Sequence, residues 1–159
     1  MIIIVGRCYK VVNFIMVEDN KFHINRTKEI IVNYMMKNSL LFDILIFSNF
    51  SDKLIDIIEN HDENHIYILD YELPDCTAID IARMIRQYDW TSPIIIFTVN
   101  GGLALDSFKQ RLQILDFVDK QVNAEKNLDE LFDICLSQLK IRKTLKFTIG
   151  ATHYSIDYD

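Results

Sequence analysis

Short apolar runs rich in β-branched residues recur along the chain at 14–17, 44–47, 66–69 and 94–97, with a briefer one around Phe117 and Val118. Each is apolar at nearly every position rather than at alternate ones. That pattern predicts strands covered on both faces, and so a parallel sheet rather than a half-exposed antiparallel one. The stretches between them carry helical spacing. Ile30, Ile31, Tyr34 and Met35 form one stripe, and Ser51 is placed to cap a helix carrying Leu54, Ile55 and Ile58. Thr77 and Asp80 have the spacing of a capping pair ahead of Ile79, Ala82 and Ile85, and Pro93 closes that segment. Gly101-Gly102 predicts a turn before a helix through Phe108 and Leu112. Leu128, Leu131, Phe132, Cys135, Leu136 and Leu139 line one face of the clearest helix. Strand and helix alternate throughout, which predicts an α/β sheet wound on both faces.

After Arg142 the period changes. Leu145, Phe147 and Ile149 alternate with polar residues, Gly150-Ala151-Thr152 offers a turn, and Tyr154, Ile156 and Tyr158 alternate again, which predicts a β-hairpin. A hairpin this short cannot hold a core of its own, so residues 144–159 are expected to open a second domain after a globular unit over 13–143. Residues 1–12 form an N-terminal extension with two readings: an added edge strand, or upstream sequence ahead of a start at Val12.

Composition narrows the function classes. The 159 residues are 50% hydrophobic and 25% charged, with two prolines and four glycines, which suits one folded domain with a short appendage rather than a disordered chain. The net charge of −6 disfavours broad attachment of this segment to nucleic acid or to an anionic membrane. Cys8, Cys76 and Cys135 are odd in number and widely spaced, so free thiols in a reducing compartment are expected rather than a disulfide framework. The apolar start at 1–5 is too short to span a bilayer and has no basic residues before it, so a cytoplasmic protein without a membrane partner is expected. The histidines read as solvated or locally bonded groups.

Polar residues end four of the apolar runs: the acid pair Glu18-Asp19, Asp70, Thr98 and Lys120. In an open parallel sheet the carboxyl ends of the strands converge on one edge, where ligands bind, so these side chains can meet. Taken singly each has a structural reading, since Asp favours turns and Glu18-Asp19 could cap a helix. Taken together they assemble one chemistry. Two like charges 4 Å apart repel by about 1 kcal/mol in water and about 4 at an effective dielectric of 20, so three acids call for a cation. A hard divalent ion such as Mg2+, held by Asp19 and Asp70 with Glu18 direct or through water, fits oxygen donors. An Asp70 oxygen can then attack a phosphoryl group, with Lys120 pairing its equatorial oxygens and the Thr98 hydroxyl donating to one of them.

Over residues 13–142 the chain resembles the receiver domains of bacterial two-component response regulators. The resemblance rests on Ile15-Met16-Val17-Glu18-Asp19-Asn20, Ile68-Leu69-Asp70-Tyr71-Glu72-Leu73-Pro74-Asp75, Ile96-Phe97-Thr98 and Asp116-Phe117-Val118-Asp119-Lys120. It implies a flavodoxin-like, doubly wound five-stranded parallel sheet in the order 2-1-3-4-5. It also implies phosphorylation of Asp70 by a sensor histidine kinase, and a metal site completed by the backbone carbonyl of Glu72. Phe117 falls at the family's aromatic switch position. Phosphorylation is then expected to draw Thr98 toward Asp70 and let Phe117 turn inward, remodelling the surface around the last strand and its flanking helices, a surface that can serve a homodimer. Residues 145–159 resemble the first strands of the LytTR DNA-binding domain, which implies a transcription regulator that reaches DNA only through sequence beyond this segment.

Three positions depart from the family pattern: Ala78 stands for the usual Gly, Val99 for a small residue beside the hydroxyl, and Gln121 for a proline. Val99 is expected to narrow access to Asp70, while Glu72, Val99 and Asn100 sit where the family tunes the lifetime of the acyl phosphate. The chain is expected to signal rather than to act as an enzyme. A phosphatase of the haloacid dehalogenase type needs a second Asp two residues after the nucleophile, and that position holds Glu72. The other rival is a receiver-like module that dimerises without phosphorylation.

Overall fold

In the computed structural model the residues described are 10–60, 64–99 and 111–141, with the backbone of 143–149 and 152–158. Along the chain run β1 (Val12–Val17), α1 (Lys21–Lys37), β2 (Phe42–Phe47), α2 (Asp52–Glu59), β3 (His65–Leu69), α3 (Ala78–Tyr88), β4 (Ile94–Thr98), β5 (Asp116–Asp119) and α4 (Ala124–Gln138). The five strands form one sheet in the order β2-β1-β3-β4-β5, and every pairing is parallel. This is the flavodoxin-like receiver fold. Beyond it, β6 (Lys143–Ile149) and β7 (Thr152–Tyr158) pair antiparallel, with Leu145 opposite Ile156 and Phe147 opposite Tyr154. Residues 1–9, with Cys8 and most of the N-terminal extension, lie outside the described residues. So do His61, Asn100, Gly101-Gly102, Phe108 and the turn at Gly150.

The near-continuous apolar strands follow from burial on both faces. Successive side chains of a strand point to opposite sides. In β1, Val12, Phe14 and Met16 join a cluster with Ile30, Ile31, Tyr34 and Met35 of α1 and Leu128, Leu131, Phe132, Cys135 and Leu136 of α4. Ile15 and Val17 join the opposite cluster, with Leu54 and Ile58 of α2 and Ala78, Ile79, Ile81, Ala82 and Ile85 of α3. The helical stripes expected from spacing are therefore the faces that cover the sheet, except that on α2 Ile57 rather than the expected Ile55 packs beside Leu54 and Ile58. Leu112, expected at the end of a helix, is not helical; it is buried in the second cluster, and the rest of that segment lies outside the described residues.

The caps explain where the helices start. Ser51 Oγ accepts from the Leu54 N–H at 3.4 Å, and Thr77 with Asp80 forms a reciprocal capping box ahead of α3. Asn20, not the acid pair before it, caps α1: its side-chain oxygen accepts from the N–H groups of Phe22 and His23 at 2.9 and 3.4 Å. Cys76 and Cys135 are free thiols, and burial holds Cys135 up to about 12. His65 is buried against Tyr67, with its ring edge-on at 5.9 Å.

Phe132 anchors the first core. Its ring meets Phe14 at 5.3 Å and Tyr34 at 5.2 Å, both edge-on, and its side chain is fully buried. Phe132→Ala should lower stability by about 3–5 kcal/mol. Urea unfolding reads this as a lower midpoint with an unchanged slope.

Candidate functional site

Glu18, Asp70 and Lys120 each sit one step beyond a strand, with the sheet ladder carried on through the backbone, while Asp19 lies two steps past β1 and Thr98 is the last residue of β4. The Glu18 N–H donates to the Phe47 carbonyl at 2.9 Å, that of Asp70 to Val17 at 2.8 Å, and that of Lys120 to Thr98 at 2.8 Å. The parallel order places the ends of β1, β3, β4 and β5 side by side. Buried strands thus fix the backbone from which the acids and the ammonium project. β2, the edge strand, contributes none of them.

The side chains meet. Lys120 Nζ lies 2.5 Å from Glu18 Oε2 and 2.9 Å from Asp70 Oδ1. Glu18, Asp19 and Asp70 each offer a carboxylate oxygen within 4.8 Å of the others. Lys120 is 1% exposed and Glu18 3%, whereas Asp19 is exposed and Asp70 intermediate. Burial pushes the Glu18 carboxyl above its usual range, opposed by the hydrogen bond and charge of Lys120 and reinforced by the charge of Asp70. The second Glu18 oxygen accepts from the Asn20 N–H at 3.2 Å. The Lys120 ammonium also lies 5.7 Å from the centre of the Phe97 ring.

Around this centre, Thr98 is buried at 2% exposure at the end of β4, and Val99 beside it is 46% exposed. Phe117, on β5, is half-buried and packs against the cluster covered by α2 and α3. Glu72 is exposed in the loop after Asp70 and forms an isolated antiparallel bridge with Thr77. Ala78 is fully buried at the start of α3.

Two residues join the site from α1 that apolar spacing did not single out. Arg26 Nη1 donates to the Lys120 carbonyl at 2.7 Å, which ties the chain after β5 to α1. His23 sits on the first turn of α1, where burial, and after it the positive charge of Lys120, hold its imidazole below the usual range. The partners are 94 positions apart for Arg26, and no local pattern encodes such a contact. The asparagine ahead of α1 was a readable cap signal, and its use there frees Glu18 and Asp19 from capping.

The cluster sets three carboxylates against one ammonium. These hard oxygen donors suit a divalent cation such as Mg2+, which takes one or two carboxylates and keeps several waters. Asp70 and Asp19, the less buried pair, are the ones open to it.

No family model matches the sequence, nor does any curated protein. Solved structures share its fold. A response regulator receiver domain from Rhodospirillum rubrum is 21% identical, with 77% of this chain and 94% of that chain covered and a TM-score of 0.59. A CheY-like receiver domain protein from Methanospirillum hungatei JF-1 is 18% identical over 82% and 98%, with a TM-score of 0.62. A receiver domain protein from Clostridium thermocellum is 18% identical over 81% and 97%, with a TM-score of 0.66. The chain has the fold of these receiver domains.

Lys120 is the only cation whose ammonium contacts Glu18 and Asp70 among the described residues. Lys120→Met leaves two carboxylates facing each other in a buried site and should cost about 3–5 kcal/mol. Adding Glu18→Gln should recover part of that loss, and urea unfolding of the single and double variants measures the difference.

Proposed function

We propose that this chain is the phosphoacceptor receiver domain of a two-component response regulator, with Asp70 as the acceptor. The observation that carries this reading is the contact of Asp70 with the buried Lys120 ammonium inside a cluster of three carboxylates. A sensor histidine kinase is the donor. An Asp70 carboxylate oxygen attacks the phosphorus of a phosphohistidine, the P–N bond breaks, and its electron pair returns to the imidazole, leaving an acyl phosphate on Asp70. Asp19, Asp70 and the Glu72 backbone carbonyl would hold Mg2+, with Glu18 reaching it through water. That ion supplies neutralisation of the charge on the transferring group.

The chain's own residues do the rest. Lys120 exchanges a carboxylate oxygen for a phosphoryl oxygen as the group arrives. The Thr98 hydroxyl donates to another, and its movement toward Asp70 lets Phe117 turn inward. The phosphoryl group adds about −1.5 to −2 charges at pH 7, enough to bias a two-state surface. Val99, Glu72 and Asn100 tune access to the acceptor and hydrolysis of the acyl phosphate. The switching surface around β5 and α4 serves dimerisation. The C-terminal strands belong to a LytTR-type output domain, through which the protein binds DNA and controls transcription. The support for that output is the alternating sequence of 145–159. No helix among the described residues is long and apolar enough to cross a membrane.

Incubation with a small phosphodonor or a cognate kinase, with and without Mg2+, should add one phosphoryl group detectable by mass. The adduct should require Mg2+ and be lost in Asp70→Asn. No adduct even from the cognate kinase would favour dimerisation without phosphorylation, and sustained turnover of a phosphate ester lost in Asp70→Asn would favour a phosphohydrolase. Thr98→Ala should keep the adduct but lose the change in the Phe117 ring environment that NMR detects on phosphorylation of the wild type.

A further inference from the structure

We propose that Arg86 is a positioning residue for this site, acting from the opposite edge of the sheet. Arg86 lies in the last turn of α3 and is 5% exposed. Its Nε donates to the Leu112 carbonyl at 2.8 Å, Nη1 to Asp89 at 2.8 Å, and Nη2 to Gln113 at 3.1 Å. One guanidinium therefore joins the chain leaving α3 to the chain approaching β5. A planar fork with five donors can hold three carbonyls at once, which an ammonium cannot match.

Both segments it holds lead to site residues. Asp89 Oδ1 accepts from the Thr91 N–H at 2.8 Å, the Thr91 hydroxyl at 2.9 Å and the Ser92 N–H at 3.0 Å, turning the chain into β4, which ends at Thr98. On the other side, Arg111 and Gln113 have φ of 53° and 50°. Such left-handed conformations are unfavourable for non-glycine residues, so they persist where neighbouring contacts impose them. The Leu115 N–H then donates to the Ile94 carbonyl at 2.8 Å, and β5 begins.

The need for an outside anchor follows from the shortness of β5. It has four residues and pairs with β4 on one side only among the described residues. Its own ladder holds it weakly. A one-residue slip would turn every side chain to the other face, exchanging buried Val118 for half-buried Phe117 and taking Lys120 away from Asp70. At about 3.3 Å per residue, Lys120 lies roughly 13 Å along the strand from Asp116, so an error at the entrance is carried to the site by a rigid extended backbone. Arg86 fixes that entrance.

This inference rests on the phosphoacceptor reading for its activity arm, and its structural arm stands apart. In Arg86→Met, the amides of Leu115 and Lys120 should exchange with deuterium about tenfold faster, while those of β1 keep their rates. Mg2+ affinity should stay within about twofold, because the acids ride on β1 and β3, while adduct formation at Asp70 slows about tenfold. Arg86→Lys should fall between that variant and the wild type in both. Exchange that rises equally in β1 and β5, affinity and phosphorylation that fall together, or rates that do not change would overturn the proposal. If Arg86→Met does not fold, native-state exchange of the wild type decides it: the amides of Leu115, Lys120 and Asp89 should open with one shared free energy, and separate openings refute the link. A wild type that takes no phosphoryl group removes the phosphoacceptor reading, and the exchange arm still decides whether Arg86 holds β5.

Discussion

The Lys120 ammonium is withdrawn from water and held between the carboxylates of Glu18 and Asp70, and the rest of the molecule is arranged around that demand. Burying an ammonium costs several kcal/mol even after the protein relaxes, so the group stays charged only where acids approach closely and in fixed geometry. Two of the three acids do so, from strands adjacent in the sheet. A buried ion pair of this kind is a poor source of stability, because well-packed apolar residues of the same volume often serve the fold as well or better. Its place is better explained by what it keeps ready: one positive group facing an excess of negative ones.

Rigid placement of that group comes from the sheet. β1, β3 and β4 are apolar at almost every position because helices cover both faces, and the hydrogen-bond ladder runs one residue past the strand at Glu18, Asp70 and Lys120. The same close packing that excludes water from the core removes freedom from the backbone that carries the acids. Asp19 escapes this. It stays exposed while its neighbour is buried, so adjacent acids at the end of one strand serve different surroundings.

Much of this was legible in the sequence, for identifiable reasons. An apolar run closed by polar residues marks both a buried strand and the end at which side chains of neighbouring strands can meet, which is how Asp70 and Lys120 could be brought together before any contact was known. The helical stripes were legible because each helix covers one face only. The partners of long side chains were not. Arg86 and Arg26 each reach backbone carbonyls far along the chain, and a carbonyl carries no residue identity to read. The capping role of Asn20 was overlooked for another reason: the acid pair before it offers the same local signal. The spacing that predicts a helix through Phe108 and Leu112 falls mostly outside the described residues, and Leu112 itself enters the core in a non-helical conformation.

The extra methylene of Glu18, beside the shorter Asp19, changes what it can do. One oxygen meets Lys120 and the other accepts from the Asn20 backbone, so both are engaged inside the fold, and burial makes its charge costly. On the phosphoacceptor reading, a phosphoryl group on Asp70 competes with Glu18 for the same ammonium. If Lys120 moved wholly to the phosphoryl oxygens, Glu18 would be left as a buried carboxylate held by a single backbone donor, a state several kcal/mol above a paired one. The two-sided arrangement avoids this. An ammonium has three donors, and at 2.5 and 2.9 Å from its present partners it can turn one toward a phosphoryl oxygen while keeping another on Glu18. On that reading Glu18 holds Lys120 in place during the exchange, and Asp19, the acid that solvent already reaches, is the more open of the two to a metal ion.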